Sequence, residues 1–182
     1  MAVLIAFLRA VNVGGNAMIK MAALKDMFDE LGYRDARTLL QSGNVIFRAA
    51  TTPDAAAKRI GAAIRKTFAL DVDVVVRSAE ELRKAAAANP FPAASRQDPS
   101  RLLVTFLATA PTAAAIKALS SSKFAVEKFK VLGREMYTHY AGGIAKSKLS
   151  PAIVDKTLGT RGTARNWNTV TKLIAIADEF AK

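Results

Sequence analysis

A chain of 182 residues that is 51% hydrophobic and 23% charged has the composition of an ordinary globular protein, long enough for one domain or two small lobes. It contains no cysteine, which excludes a disulfide framework, a thiol nucleophile and a thiolate metal site and makes the cytosol the default location. The net charge of +12 is uneven: residues 1–100 carry 14 Lys plus Arg against 10 Asp plus Glu, and residues 101–182 carry 13 against 5, so the field that attracts phosphate-bearing partners belongs to the C-terminal part.

In chain order, the apolar run Ala2 to Leu8 has no basic segment before it and reads as a buried strand, Val3 to Arg9, rather than a signal peptide. No stretch approaches the roughly 20 apolar residues of a membrane span, so no membrane association is expected. After a Gly14-Gly15 loop, Met21, Leu24, Phe28 and Leu31 fall at helical spacing, and Gly32 stands where a left-handed cap belongs. Strands Arg37 to Gln41 and Asn44 to Arg48 flank Ser42-Gly43, which reads as a two-residue hairpin connection. Thr52 and Pro53 open a helix carrying Ile60, Ile64 and Phe68, and Val72 to Arg77 is the next strand. Ser78 and Glu81 form a capping-box signature for a helix from about Ala79 to Ala88, which the stretch Asn89-Pro90-Phe91-Pro92 ends.

The pattern then restarts. Strand Leu102 to Ala108 precedes a helix from Pro111 through Ile116 and Leu119, strand Phe124 to Val131, a turn at Gly133-Arg134 and strand Glu135 to Tyr140. Helix Pro151 to Leu158 follows, opened by Ser150 and closed by Gly159. A terminal helix with Trp167, Val170, Ile174 and Ala177 on one face takes the place of a last strand. The expected fold class is therefore α+β: two ferredoxin-like βαββα(β) units in tandem, the second incomplete and followed by C-terminal helices. The expected organisation is an N-terminal lobe over 1–88, a linker over 89–100 and a C-terminal lobe over 101–182.

Strand, helix, strand in succession sends the first two strands in one direction, so the loops after them should emerge at the same edge of the sheet. Arg9, Asn12, Gly14, Gly15 and Lys20 on the first loop, and Gln41, Ser42 and Asn44 at the second, form a candidate anion cradle, because glycines turn backbone N–H groups outward and a helix start adds positive dipole. The same glycines also suit a tight connection on steric grounds, and the same polar groups suit local turn bonds. A third group is Lys146, Ser147, Lys148 and Arg165, near the single tryptophan Trp167, as expected for a phosphate with a base stacked beside it. His139 has no nucleophile or carboxylate at a telling spacing, Asp71 and Asp73 read as a solvated turn, and Glu80 and Glu81 belong to a helix start. No catalytic residue, metal site or cofactor is assigned.

Arg9-Ala-Val-Asn-Val-Gly-Gly-Asn16, Gln41-Ser-Gly-Asn-Val45, Asn89-Pro-Phe91, Ser147-Lys148 and Thr163-Ala-Arg-Asn-Trp-Asn-Thr-Val170 together resemble the successive landmarks of the domain-of-unknown-function family 1697 over nearly the whole chain. Ala10 and Ala164 depart from the glycine and threonine usual in that pattern. The resemblance implies an α+β cytoplasmic protein of bacterial type with ferredoxin-like halves, and it brings no activity and no catalytic residues. Three functions remain open from the sequence. One is a binding module for a phosphorylated or otherwise anionic ligand, a nucleotide or nucleic acid, at the Gly-rich loops and basic segment. Another is an enzyme acting on a small anionic metabolite in a cleft between the lobes. The third is a protein-interaction domain with no ligand site. Oligomeric state is not assigned.

Overall fold

The computed structural model describes residues 1–15, 17–124 and 127–180. Two four-stranded sheets are present, each antiparallel between every pair of neighbours. The first orders its strands β2-β3-β1-β4, from β1 (Ala2–Leu8), β2 (Arg34–Leu39), β3 (Asn44–Ala49) and β4 (Val74–Ser78). Helix α1 (Met21–Glu30) joins β1 to β2, and α2 (Pro53–Phe68) joins β3 to β4. The second sheet repeats the order as β6-β7-β5-β8, from β5 (Leu102–Leu107), β6 (Lys128–Leu132), β7 (Glu135–His139) and β8 (Gly162–Asn166), with connecting helices α5 (Ala113–Ser120) and α6 (Pro151–Leu158). In chain order α3 (Ala79–Ala87) and α4 (Pro92–Gln97) follow β4 and precede β5, and α7 (Trp167–Glu179) follows β8. The chain forms two compact units, one of Met1–Lys84 with Lys172–Lys182 and the other of Ala85–Thr171. Among the described residues no helix is long and apolar enough to cross a membrane.

Three expectations need correction. The second sheet is complete and has its fourth strand, contrary to the sequence expectation: β8 pairs with β5 from Leu103↔Asn166 to Leu107↔Gly162. The connection between β2 and β3 is four residues, Leu40 to Gly43, with Leu39 paired to Asn44, and so is not a two-residue hairpin. On α7 the buried face is Val170, Leu173 and Ala177, while Trp167 and Ile174 are only half-buried. Of the expected strand Phe124 to Val131, Ala125 and Val126 lie outside the described residues, as does Asn16 of the first loop.

Local chemistry explains why the elements begin where they do. Thr52, Thr112 and Ser150 each accept the N–H three residues on, capping α2, α5 and α6. The Ser78 and Glu81 box closes both ways, with Glu81 N–H donating to Ser78 Oγ at 3.1 Å and Ser78 N–H to Glu81 Oε2 at 2.7 Å. Asn166 starts α7 by accepting the N–H of Thr169 at 2.9 Å. In the first unit Leu4, Ala6 and Leu8 of β1 meet Leu24, Phe28, Ile60 and Ile64 of α1 and α2 in one core. The alternate residues Ile5 and Phe7 are buried as well, so β1 is covered on both faces and reads as a continuous apolar run. In the second unit Leu107 and Met136 form a core with Leu119, Val154 and Leu158 of α5 and α6.

The two sheets share a detail that composition conceals. Each last strand carries a buried arginine at its next-to-last position, Arg77 paired with Ile5 and Arg165 paired with Val104, and the following residue caps a helix. Each guanidinium donates to the carbonyl of the residue before it, Val76 at 3.1 Å and Ala164 at 2.8 Å.

Candidate functional site

Because β1 and β2 both run antiparallel to β3, they point the same way, and the loops after them emerge together. Leu8 N–H donates to Gly43 O at 2.8 Å. Asn12 then ties the loops: its Nδ2 donates to Ile19 O and to Gln41 O, both at 2.9 Å, and its Oδ1 accepts Ile19 N–H at 2.8 Å. The brace holds open a pocket of about 460 Å³ lined by Asn12, Met18, Ile19, Lys20, Met21 and Gln41. Lys20 also stands at the start of α1, which has no side-chain cap and no acidic residue in its first turn.

Of the residues singled out on the sequence, Asn12, Lys20 and Gln41 line this pocket, and the others do different work. Arg9 is half-buried on the strand exit, where its N–H donates to Asp73 O at 2.9 Å. Gly14 and Gly15 adopt φ of +65° and +77°, and a Cβ at either would meet no protein atom within 4 Å, so within the fold it is the backbone path that favours glycine there. Of the glycines described in these two loops, the one that packing demands is Gly43, at φ +73°, where a Cβ would lie 2.8 Å from Leu8 Cβ. Asn44 is fully buried and its Nδ2 donates to Leu39 O and Ser42 Oγ, so Asn44 and Ser42 hold the turn together.

Lys146, Ser147, Lys148 and Arg165 lie in the second unit. The lysines are exposed, and Ser147 Oγ accepts Leu149 N–H at 3.1 Å. Arg165 is interior: 9% exposed, it donates to Thr163 Oγ1 at 2.8 Å, and burial pulls its pKa down to about 10, which leaves it charged at neutral pH. His139 has a partner that no spacing reveals, since its Nε2 lies 3.1 Å from Asp98 Oδ2, 41 residues upstream. Asp71 is 2.6 Å from Arg65 and has the ion pair of a surface turn. Among the described residues, no group of three or more His, Asp or Glu is placed to hold a metal ion.

Sequence reasoning missed Met18, Ile19 and Met21. Their signal was a run of large apolar side chains, Met18, Ile19 and Met21, straddling the end of a Gly-rich loop and the start of a helix.

A loop-braced pocket at one edge of an antiparallel α+β sheet defines a protein with a candidate small-ligand site. The chain belongs to the family described as Protein of unknown function (DUF1697), which matches residues 1–137 and so includes both loops. No curated protein matches the chain. Among solved structures it is similar to the conserved bacterial protein SP0830 from Streptococcus pneumoniae, at 18% identity and a TM-score of 0.72, over 97% of this chain and 98% of that one. A likeness at that identity bears on the fold alone.

Proposed function

We propose that the pocket of the first unit binds a small anionic ligand, with Lys20 and the start of α1 supplying the positive field. The observation that carries this reading is where the chain keeps its costly backbone. Of six non-glycine residues with positive φ among the described residues, Ala10, Asn12, Ala17 and Leu40 lie in the two loops that frame the pocket. An alanine in the left-handed region costs about 1–2 kcal/mol, and such strain concentrates at functional sites. The matching connection of the second unit, from β5 to α5, makes the same join in residues 108–112 with no positive φ, and Thr112 caps its helix. A strand-to-helix join in this fold therefore requires neither the length of the loop 9–20 nor its strain nor an uncapped helix, and ligand binding accounts for all three.

Thermal unfolding with inorganic phosphate, a nucleoside monophosphate and a sugar phosphate tests the reading, since a ligand of the native state raises stability with the logarithm of its concentration. At least one should raise the melting temperature of the wild type, and Lys20→Gln should remove the rise. Stabilisation by none of them, or equal stabilisation of Lys20→Gln, would contradict it.

A second reading is supported by the eleven bases against three acids between Lys117 and Lys172, of which Lys117, Lys123, Lys128, Lys130, Lys146 and Lys148 are exposed. It is that the second unit contacts a polyanion such as nucleic acid. We further read the two sheets as tandem ferredoxin-like copies, on the strength of their shared strand order, and the protein as cytoplasmic, on the strength of its lack of cysteine.

A further inference from the structure

We propose, resting on the anion reading of the same pocket, that its ligand is an amphipathic organic anion: a flat apolar body of aryl size bearing one acidic group. Half of the lining residues, Met18, Ile19 and Met21, are apolar, and Lys20 is the one cation among the six. A bare oxyanion would use Lys20 and leave most of the 460 Å³ to water, room for about 15 molecules at about 30 Å³ each. Pockets of this size, in the range of roughly 300–1,000 Å³, ordinarily enclose organic ligands on apolar walls with a few placed polar groups.

Methionine on both sides of the lysine narrows the apolar part further, because an unbranched thioether adapts to a flat ring and gains from sulfur–aromatic contact. The apolar surface also continues out of the pocket. Among the described residues five large hydrophobic side chains are exposed, and three of them, Val13 at 59%, Met18 at 65% and Leu40 at 53%, stand on the two framing loops. Gln41, whose carbonyl accepts the Asn12 bond, adds a polar residue to the lining.

The test is calorimetric titration of the full chain with phenyl phosphate, inorganic phosphate and neutral benzyl alcohol, repeated with Met18→Gln and Lys20→Gln, two exposed positions whose replacement leaves the core intact. Burying roughly 100 Å² of apolar surface at about 25 cal/mol per Å² approaches two powers of ten in affinity before ordering costs, so phenyl phosphate should bind at least about ten-fold tighter than inorganic phosphate. Met18→Gln should reduce that advantage by about three-fold or more, and Lys20→Gln should weaken both anions. Equal affinity for phenyl phosphate and inorganic phosphate would overturn the amphipathic proposal and leave the anion reading standing. Equal affinity for benzyl alcohol and phenyl phosphate, binding indifferent to both variants, or no binding by any probe would overturn both.

Discussion

Asn12 carries a structural task that only a few residues can perform. It sits at φ +56°, a region asparagine tolerates better than most, and it makes three hydrogen bonds, two with Ile19 of its own loop and one with Gln41 of the other. Asn12→Gly keeps the backbone freedom and loses the bonds, at about 2 kcal/mol, whereas Asn12→Ala adds left-handed strain and should cost about 3 kcal/mol by urea denaturation. The glycines divide in the same way. Gly43→Ala sets a Cβ 2.8 Å from Leu8 Cβ as well as straining φ, and should cost about 2–4 kcal/mol, while Gly15→Ala meets no neighbour and should cost about 1–2 kcal/mol. A larger loss for Gly15→Ala than for Gly43→Ala would show that the loop is packed differently. Tyr137 provides a test by pH: its hydroxyl donates to Ala85 O at 2.6 Å, and burial, reinforced by the charge of Glu135, pushes its pKa up to about 12. The unfolded phenol titrates near 10, so the native state holds the proton longer. Its contribution is complete below pH 10 and is lost as pH rises from 10 to 12, amounting to roughly 2 kcal/mol. Tyr137→Phe should flatten that alkaline loss in stability measured from pH 9 to 12, and an unchanged slope would contradict the assignment.

At the scale of elements, α7 shows how a unit draws on distant sequence. Its last turns belong to the first unit, where Phe180 is 6% exposed under the guanidinium groups of Arg37 and Arg48, Arg83 bonds Asp178 at 2.6 Å, and Arg48 donates to the Phe180 carbonyl. Phe180→Ala should therefore destabilise the protein by about 3 kcal/mol in urea, with amide exchange rising first in β2 and β3, and exchange rising first in β6 and β7 would contradict it. Elements with strong local signals were legible in the sequence: the caps at Thr52, Ser78 and Ser150, and the apolar runs of β1, β3 and β5. Strand β8 was not, because Gly162, Ala164 and Asn166 have poor strand propensity and Arg165 reads as a surface residue. What makes this segment a strand is pairing with β5, more than fifty residues away, and what buries Arg165 is tertiary packing, and neither is encoded in local pattern. The four-residue length of the connection 40–43 is hidden for a similar reason, since Leu40 at φ +60° takes a conformation that leucine does not advertise.

For the whole molecule, the charge and the pocket make separable predictions. If the basic surface of the second unit contacts a polyanion, affinity for a short oligonucleotide should fall with salt, and replacing both Lys146 and Lys148 with Ala should flatten the log-log slope by roughly one to two units. An unchanged slope leaves those lysines as solubilising charge. Half of the pocket was legible in advance: Asn12, Lys20 and Gln41 follow from strand direction, which sends both loops to one edge, whereas Met18, Ile19 and Met21 enter it through the path of a loop with five positive-φ residues among those described. The central claim, that this loop pair holds a small anion, is tested most directly by titrating the ¹⁵N-labelled protein with phenyl phosphate and mapping amide shifts. Saturable shifts confined to residues 9–23 and 40–44 are the result predicted; shifts confined to the second unit, or none at millimolar ligand, would contradict it.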